Sequence, residues 1–216
     1  MLWQSNYLNN KKQRNEKQGI FYHEHLNEYF TKIRKCWYQS SLANKNYYRT
    51  FGPNCISMKT REIKIIVHEF ENRGELPEDD QKLLTEAREI TALAYAPYSG
   101  FHVGAAVLLS NGMIIKGNNQ ENAAYPSGLC AERVALFYAN ANYPDSAVKA
   151  IAISAAKNGV LVSQAVKPCG SCRQALAETE VRFDAPIRII LDGQDSIIVL
   201  QGMESLLPLS FSKKAL

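Results

Sequence analysis

The pattern of apolar and polar positions along the chain changes near residue 58. Residues 1–57 show no sustained helical or strand period, whereas the chain from residue 59 onward is regularly amphipathic. Apolar residues spaced three and four apart predict helices in KTREIKIIVHEF and in PEDDQKLLTEAREITALAY. The acids in the first turn of the second segment suit a helix N-terminus, where the helix dipole favours negative charge.

Apolar runs between turn signals predict the strands. HVGAAVLLS and MIIKGNN are separated by Asn111-Gly112 and predict a β-hairpin. Three further strands are predicted in AVKAIAISAA, PIRIILDG and DSIIVLQG. LCAERVALFYANA, with apolar positions Val134, Leu136, Phe137 and Ala141, and CGSCRQALAETE are predicted helices, and MESLLPLSF is a short helix or turn. Strands that alternate with helices after a hairpin predict an α/β fold, a three-layer α/β/α sandwich with a mixed central sheet.

Charge divides the chain at the same place. Residues 1–57 hold nine Lys or Arg and three Glu, a net +6; since the whole chain carries +4, residues 58–216 carry −2. A basic, tyrosine-rich segment could bind nucleic acid, but its aperiodic composition is more typical of a disordered or non-native extension. We therefore expect residues 58–216 to form the folded domain, with Met58 as the functional start and residues 1–57 dispensable.

The expected cellular location depends on whether the sequence contains a membrane span or a secretory signal. No apolar run approaches the roughly 18 residues that span a bilayer, and no apolar stretch follows the charges of the N-terminal segment, so we expect neither a membrane span nor a secretory signal. A cytoplasmic location follows, where cysteines stay reduced. Five cysteines in such a protein suggest metal binding or catalysis before disulfides.

Three of these cysteines stand at the starts of predicted helices. Cys169 and Cys172 in PCGSC lie on one face of a helical turn, a spacing that suits a shared metal or a redox pair. Cys130, at the start of another helix, favours the metal. Three thiolates indicate a catalytic zinc site, because structural zinc has four protein ligands while catalytic zinc keeps one position open. No fourth ligand is evident in the sequence: His102 lies in a predicted strand, and Cys36 and Cys55 precede residue 58.

Two charged residues follow Cys130 closely. Three thiolates leave Zn²⁺ with a net charge of −1, and the guanidinium of Arg133 beside the sulfurs offsets that charge. Zinc lowers the pKa of a bound water from 15.7 to about 7. Glu132 is not needed as a ligand and is free to take the proton from that water and pass it to a substrate. Taken singly, each of these residues has an ordinary structural explanation, so the joint pattern carries the prediction.

Residues 91–211 resemble the cytidine deaminase family, in its small homotetrameric, three-cysteine branch. The matching stretches are AYAPYSGFHVGAAV, NNQENAAYPSGLCAERVALF, PCGSCRQAL and LLPLSF. The resemblance implies zinc-dependent hydrolytic deamination of cytidine and deoxycytidine in pyrimidine salvage, with self-association as a homotetramer. It places Cys130, Cys169 and Cys172 on the zinc ion and makes Glu132 the proton shuttle. It also implies the substrate contacts: Phe101 with the base, Asn119 and Glu121 with the ribose hydroxyls, the Ala131 backbone with the pyrimidine edge, and Phe211 with a neighbouring subunit's site.

Three positions depart from the family pattern. Gly100 replaces a larger polar residue, Gln120 replaces an aliphatic one, and Leu209-Ser210 replaces the common Gly-Ala before Phe211. Tyr125 could serve a subunit interface rather than the site.

Two alternatives remain open at this stage. A deaminase of a cytosine nucleotide or polynucleotide would share the core, although those relatives mostly carry His in place of Cys130, and a domain of charge −2 attracts phosphates weakly. A structural-zinc module that binds RNA through the basic segment would need a fourth zinc ligand and would leave Glu132 without a role.

Overall fold

The computed structural model describes residues 59–213. The predicted boundary between residues 57 and 58 lies outside this range. Within this range the three α-helices are α1 (Glu78–Ile90), α2 (Ala131–Asn142) and α3 (Gly170–Phe183). The seven strands of the same described part are β1 (His68–Phe70), β2 (Phe101–Leu109), β3 (Ile114–Asn118), β4 (Val148–Lys157), β5 (Val160–Leu161), β6 (Arg188–Leu191) and β7 (Ile197–Gln201). None of these helices combines the length and the apolar composition needed to cross a membrane.

The strands form one mixed sheet in the order β1-β7-β6-β4-β2-β3, with β5 paired to β4. Only β4 and β6 run parallel, and the chain between them contains α3. The other pairs are antiparallel. A parallel pair needs a crossover connection, and α3 lies in the connection between β4 and β6. The N-terminus of α3, with Cys169, therefore lies beyond the end of β4.

Alternate residues of the central strands face two separate hydrophobic clusters. On one face, Ala106 and Ala152 pack with Leu83, Leu84 and Ala87 of α1. On the other face, the strands pack against α2 and α3 through residues that include Ala105, Ile151, Ile153, Ala135, Leu136 and Leu176. The predicted three-layer α/β/α sandwich with a mixed central sheet is therefore confirmed.

Glycine lets one helix on each face approach the sheet closely. A Cβ atom on Gly104 would lie 2.2 Å from the Ala87 carbonyl oxygen of α1, and one on Gly117 would lie 2.5 Å from the Ala135 nitrogen of α2. Real Cβ atoms do not make such contacts with backbone. Because Gly117 of β3 has no side chain, α2 packs close to the sheet, together with its first turn after Cys130.

The predicted β-hairpin is confirmed: β2 and β3 are joined through Asn111-Gly112, where Gly112 has φ of +85°. A second hairpin with an Asn-Gly dipeptide was missed. Asn158 (φ +54°) and Gly159 (φ +76°) join β4 to the two-residue strand β5. Positive φ at both central residues is the conformation for which Asn-Gly is favoured. The dipeptide was therefore a usable signal, although the following strand is too short for a periodic pattern.

The predicted helix over KTREIKIIVHEF is wrong. Residues 59–67 have no regular secondary structure, and His68–Phe70 form the edge strand β1, paired with β7. The apolar residues Ile63, Ile65, Ile66 and Val67 are 46–71% exposed, so no core contacts one side of the segment. An amphipathic helix is stabilised mainly by packing of its apolar face against a core. Because these isoleucines and the valine do not pack in this way, their β-branched side chains favour extended backbone.

Two predicted helices need smaller corrections. α1 ends at Ile90, and Thr91–Leu93 form a 3₁₀ turn, because the Tyr95 backbone bonds instead to the segment 119–121. In α2, Leu136 is buried as predicted, but Val134 is only partly buried and Phe137 and Ala141 are exposed. The face that contacts the sheet contains Ala131, Glu132, Ala135, Leu136 and Ala139. The carboxylate of Glu132 is on this face, and a pattern of apolar residues does not predict that a charged residue is buried.

Candidate metal and nucleoside site

The predicted site lies where α2 and α3 begin. Cys130 is the N-cap residue of α2 and Cys169 is the N-cap residue of α3, both in extended backbone conformation. Cys172 lies in the first turn of α3 and is fully buried. Free N–H groups and the positive end of the dipole stabilise negative charge at helix N-termini. The three thiols therefore lie at the N-termini of α2 and α3, where negative charge on sulfur is stabilised.

The three sulfur atoms lie within 4.8 Å of one another. Sγ of Cys130 is 3.8 Å from Sγ of Cys169, which is 3.4 Å from Sγ of Cys172. A tetrahedral site with zinc–sulfur bonds of about 2.3 Å separates its sulfurs by roughly 3.8 Å. The thiols therefore fit zinc in both type and spacing. Within residues 59–213 the cluster includes neither His102 nor any carboxylate, so these side chains supply three ligands. Cys36 and Cys55 lie outside the described residues.

Arg133 contacts this cluster directly. Its guanidinium donates a hydrogen bond to Sγ of Cys130 at 3.8 Å. Hydrogen bonds from Cys172 and Arg133 lower the pKa of the Cys130 thiol to about 5, against the opposing effect of burial. The hydrogen bond to Cys130, together with burial, raises the pKa of Cys172. The hydrogen bond places a positive charge beside this sulfur, and the charge-offsetting role of Arg133 stays a prediction.

Glu132 is buried in the first turn of α2, with 5% of its surface exposed. Burial is the main cause that raises the pKa of its carboxyl group, and the nearby charge of Cys130 raises it further. A raised pKa makes a carboxyl group better suited to hold a proton and then release it. Its position beside the thiols, outside the cluster itself, is the one that a proton carrier requires.

Asn119 and Glu121 both contact the segment 98–103 through their side chains. The Asn119 amide accepts from the Val103 N–H at 2.8 Å and donates to the Phe101 carbonyl at 2.9 Å. These two bonds hold the start of β2. One amide hydrogen of Asn119 is still available for a ligand, since a primary amide has two.

The Glu121 carboxylate caps the turn at residues 98–99. It accepts from the Ser99 hydroxyl at 2.5 Å, from the Tyr98 N–H at 2.9 Å and from the Ser99 N–H at 3.3 Å. The bond from the Ser99 hydroxyl is the largest cause that lowers the pKa of Glu121. The group is therefore held as an oriented anion, and a carboxylate has room for further donors such as sugar hydroxyls.

The remaining predicted contacts differ in their surroundings. Phe101 begins β2, and Ala131 is the buried first residue of α2, directly after Cys130. Phe211 is 64% exposed, and its carbonyl oxygen accepts a hydrogen bond at 3.0 Å from Gln174 of α3. Tyr125 is 91% exposed.

Two of the departures from the family pattern fall on positive-φ positions. Gly100 has φ of +63°, which glycine adopts without strain. Leu209, which stands where the family commonly has Gly, has φ of +60°. The chain therefore keeps a left-handed conformation at residue 209 with a side chain that disfavours it.

Sequence reasoning missed Arg173. Its guanidinium donates to the carbonyl oxygen of Pro168, just before Cys169, at 2.8 Å, and to that of Leu206 at 2.7 Å. It therefore connects the entry to α3 with the C-terminal turn. The available signal was an arginine directly after the last cysteine, in the first turn of a helix, where a cation does not suit the dipole and needs another reason.

Comparison with known proteins agrees with this site. Residues 77–183 match the family described as the cytidine and deoxycytidylate deaminase zinc-binding region. A cytidine deaminase of Sporosarcina psychrophila is 39% identical over 138 residues, 64% of this chain and 95% of the relative. One of Halalkalibacterium halodurans is 44% identical over 100 residues, 46% of this chain and 71% of the relative.

A solved structure extends the agreement to the fold. The crystal structure of cytidine deaminase from Burkholderia pseudomallei is 34% identical, with a TM-score of 0.53, and the match covers 63% of this chain and all of that one. The family match and the three-thiol cluster together place this three-layer fold among the zinc-dependent deaminases. The chain belongs to the cytidine deaminase family.

Proposed function

We propose that the protein hydrolyses cytidine and deoxycytidine to uridine and deoxyuridine with release of ammonia. The observation that carries this proposal is the buried Glu132 next to three thiols at two helix N-termini. The relatives named cytidine deaminase support it, because the match covers 71% and 95% of their own lengths. The family match over residues 77–183 contains the three cysteines and Glu132.

Cys130, Cys169 and Cys172 would hold one zinc ion. When bound, zinc supplies a water molecule of lowered pKa. Glu132 takes a proton from the water that adds to C4 of the pyrimidine and delivers it to N3. It then takes a second proton from the new C4 hydroxyl and passes it to the amino group; the C4–N bond breaks, ammonia leaves, and the C4 carbonyl forms. Arg133 makes no bond to the substrate. It withdraws negative charge from Cys130, with which it shares a hydrogen bond.

The proposed substrate contacts are divided between the base and the ribose. Phe101 offers an apolar ring to the base, the Ala131 backbone faces the pyrimidine edge, and Asn119 and Glu121 bind the ribose hydroxyls. Phe211 belongs to a site shared with another subunit, which its 64% exposure permits. A homotetramer would supply that subunit. The thiols must remain reduced to bind zinc, which favours the cytoplasm, and a nucleoside substrate is consistent with pyrimidine salvage.

One experiment tests the activity and the metal together. Purified protein is analysed for zinc per chain while ammonia release from cytidine is measured, with Cys169→Ala as the matched variant. We expect one zinc per chain and ammonia release in the parent, and loss of both in the variant. Zinc without ammonia release would favour the structural-zinc alternative, and preference for a phosphorylated or polymeric substrate would favour a nucleotide or polynucleotide deaminase.

The proposed domain division is tested separately. We propose that residues 1–57 are a dispensable extension and that residues 58–216 form the catalytic domain. A chain that begins at Met58 should bind zinc and deaminate cytidine with the specific activity of the full chain. Insolubility or loss of activity would contradict this division. Salt-sensitive RNA binding by the full chain alone would assign the basic segment a function of its own.

A further inference from the structure

The hydroxyl group of Ser99 links two residues that are proposed to bind the two halves of the nucleoside. It donates to Oε1 of Glu121 at 2.5 Å and accepts from the N–H of Phe101 at 3.0 Å. A hydroxyl both donates and accepts, so a single side chain can make both bonds. Glu121 belongs to the segment after β3 and Phe101 begins β2, so the hydroxyl joins two separate parts of the chain.

The backbone around Ser99 makes this arrangement possible. Gly100 has φ of +63°, and its N–H donates to the Ala96 carbonyl oxygen at 3.0 Å. The chain therefore turns at Gly100, and the Phe101 N–H points back toward the Ser99 hydroxyl. On the far side of Phe101, the Asn119 amide binds its carbonyl oxygen at 2.9 Å. The backbone of Phe101 is thus held from both sides.

The two oxygens of Glu121 have different partners. Oε2 accepts only backbone N–H groups, from Tyr98 and Ser99, whereas Oε1 accepts the Ser99 hydroxyl. Removing the hydroxyl would leave the turn closed on Oε2 but would release Oε1 to rotate. It would also leave the Phe101 N–H without its acceptor. The fold would survive, while the relative placement of the two substrate contacts would loosen.

We infer that Ser99 is a positioning residue that couples recognition of the ribose, through Glu121, to recognition of the base, through Phe101. This inference rests on the proposed nucleoside deaminase function. Ser99 acts through its two neighbours and takes no part in proton transfer. Its loss therefore weakens substrate binding and leaves the chemical step at Glu132 intact.

The test is the substitution Ser99→Ala, with steady-state kinetics on cytidine. The substitution removes the one hydrogen bond that holds Oε1 of Glu121, so we expect KM to rise about tenfold, which corresponds to about 1.4 kcal/mol. The turnover number should change less than twofold. Ser99→Thr keeps the hydroxyl and should restore most of the lost affinity, which a general packing role would not explain.

Two controls separate this role from a general effect. Ser205→Ala removes a hydroxyl that bonds only to the Gln201 carbonyl oxygen and should leave KM unchanged. In a double-mutant cycle with Glu121→Ala, the combined rise in KM should be smaller than the product of the single effects, since both changes remove the same bond. Zinc content and the thermal midpoint confirm that each variant is folded.

The outcomes are distinct. A parent protein that releases no ammonia from cytidine would overturn the proposed function itself. An active parent whose Ser99→Ala variant keeps its KM, or loses turnover instead, would overturn the role of Ser99 alone. Multiplicative effects in the cycle would show that Ser99 does not act through Glu121. If Ser99→Ala does not fold, Ser99→Thr decides: parental KM upholds the role, and a tenfold rise contradicts it.

Discussion

Both faces of the sheet bury carboxylates, and Asp192 on one face and Glu132 on the other have different partners. On the α1 side, Asp192 is fully buried and accepts two hydrogen bonds from Arg88 and one from Ser154, all at 2.7 Å. On the α2 and α3 side, Glu132 is 5% exposed, and no lysine or arginine of residues 59–213 forms an ion pair with it.

This difference separates structural from chemical use of a buried charge. A carboxylate that accepts hydrogen bonds from a guanidinium and a hydroxyl ties the surrounding elements together. Burial without such a partner disfavours the charged form and raises the pKa, as it does for Glu132. Asp192 therefore joins α1 to the end of β6, while Glu132 remains able to exchange a proton.

The largest expected effect is that of Glu132→Gln on turnover. The amide keeps the shape of the side chain but cannot carry the proton, so turnover should fall by about 10³-fold, within the range for general acid–base catalysis. Zinc content and the thermal midpoint should stay near those of the parent. Kinetics and metal analysis of the same preparation check both statements. A variant that retains a tenth of the activity would show that Glu132 is not the proton carrier.

Asp192→Asn should produce the opposite result. Removing the charge leaves the Arg88 guanidinium without its ionic partner, so the free energy of unfolding should fall by about 2–3 kcal/mol; Arg88 is partly exposed to water, which limits the loss. Denaturant unfolding measures this change. The folded fraction should keep its zinc and most of its turnover. A loss of turnover without a loss of stability would show that the α1 face also serves the chemistry.

Arg133→Gln should have a moderate effect on the site face. The hydrogen bond to Cys130 is lost, so more negative charge remains on the sulfurs, and zinc affinity or activity should fall about tenfold, the lower end for groups that support metal ligands. The missing charge should also shift the pH–rate profile. Chelator competition and the pH dependence of kcat measure the two effects. If neither changes, Arg133 is a surface charge without influence on the metal.

The smallest effect is expected for Lys116→Gln. Lys116 of β3 pairs with Glu86 of α1 at 2.7 Å, but both side chains are accessible to water. Such pairs contribute about 0–1 kcal/mol, so the free energy of unfolding should fall by no more than about 0.5 kcal/mol. Unfolding at low and high salt measures it. A loss as large as that of Asp192→Asn would mean that burial does not explain the strength of the Arg88–Asp192 pair.

The sequence alone determined most of the chemistry of this protein. The spacing of Cys130, Cys169 and Cys172, each beside a helix start, indicated the zinc site, because helix N-termini are encoded by short local patterns. The same holds for the β2–β3 hairpin, whose Asn-Gly dipeptide has a backbone preference of its own. The roles proposed for Glu132 and Arg133 followed from their places directly after Cys130.

Only the tertiary structure decided which surfaces meet. It made β1 from a segment with helical periodicity, in which Phe70 packs against the core while Ile63, Ile65, Ile66 and Val67 stay exposed. It turned Glu132 inward and Phe137 outward on α2, which the apolar pattern alone would have reversed. It also brought Ser99 to Glu121, 22 residues away in sequence. Contacts of this kind depend on how distant segments pack together, and no local pattern of residues records them.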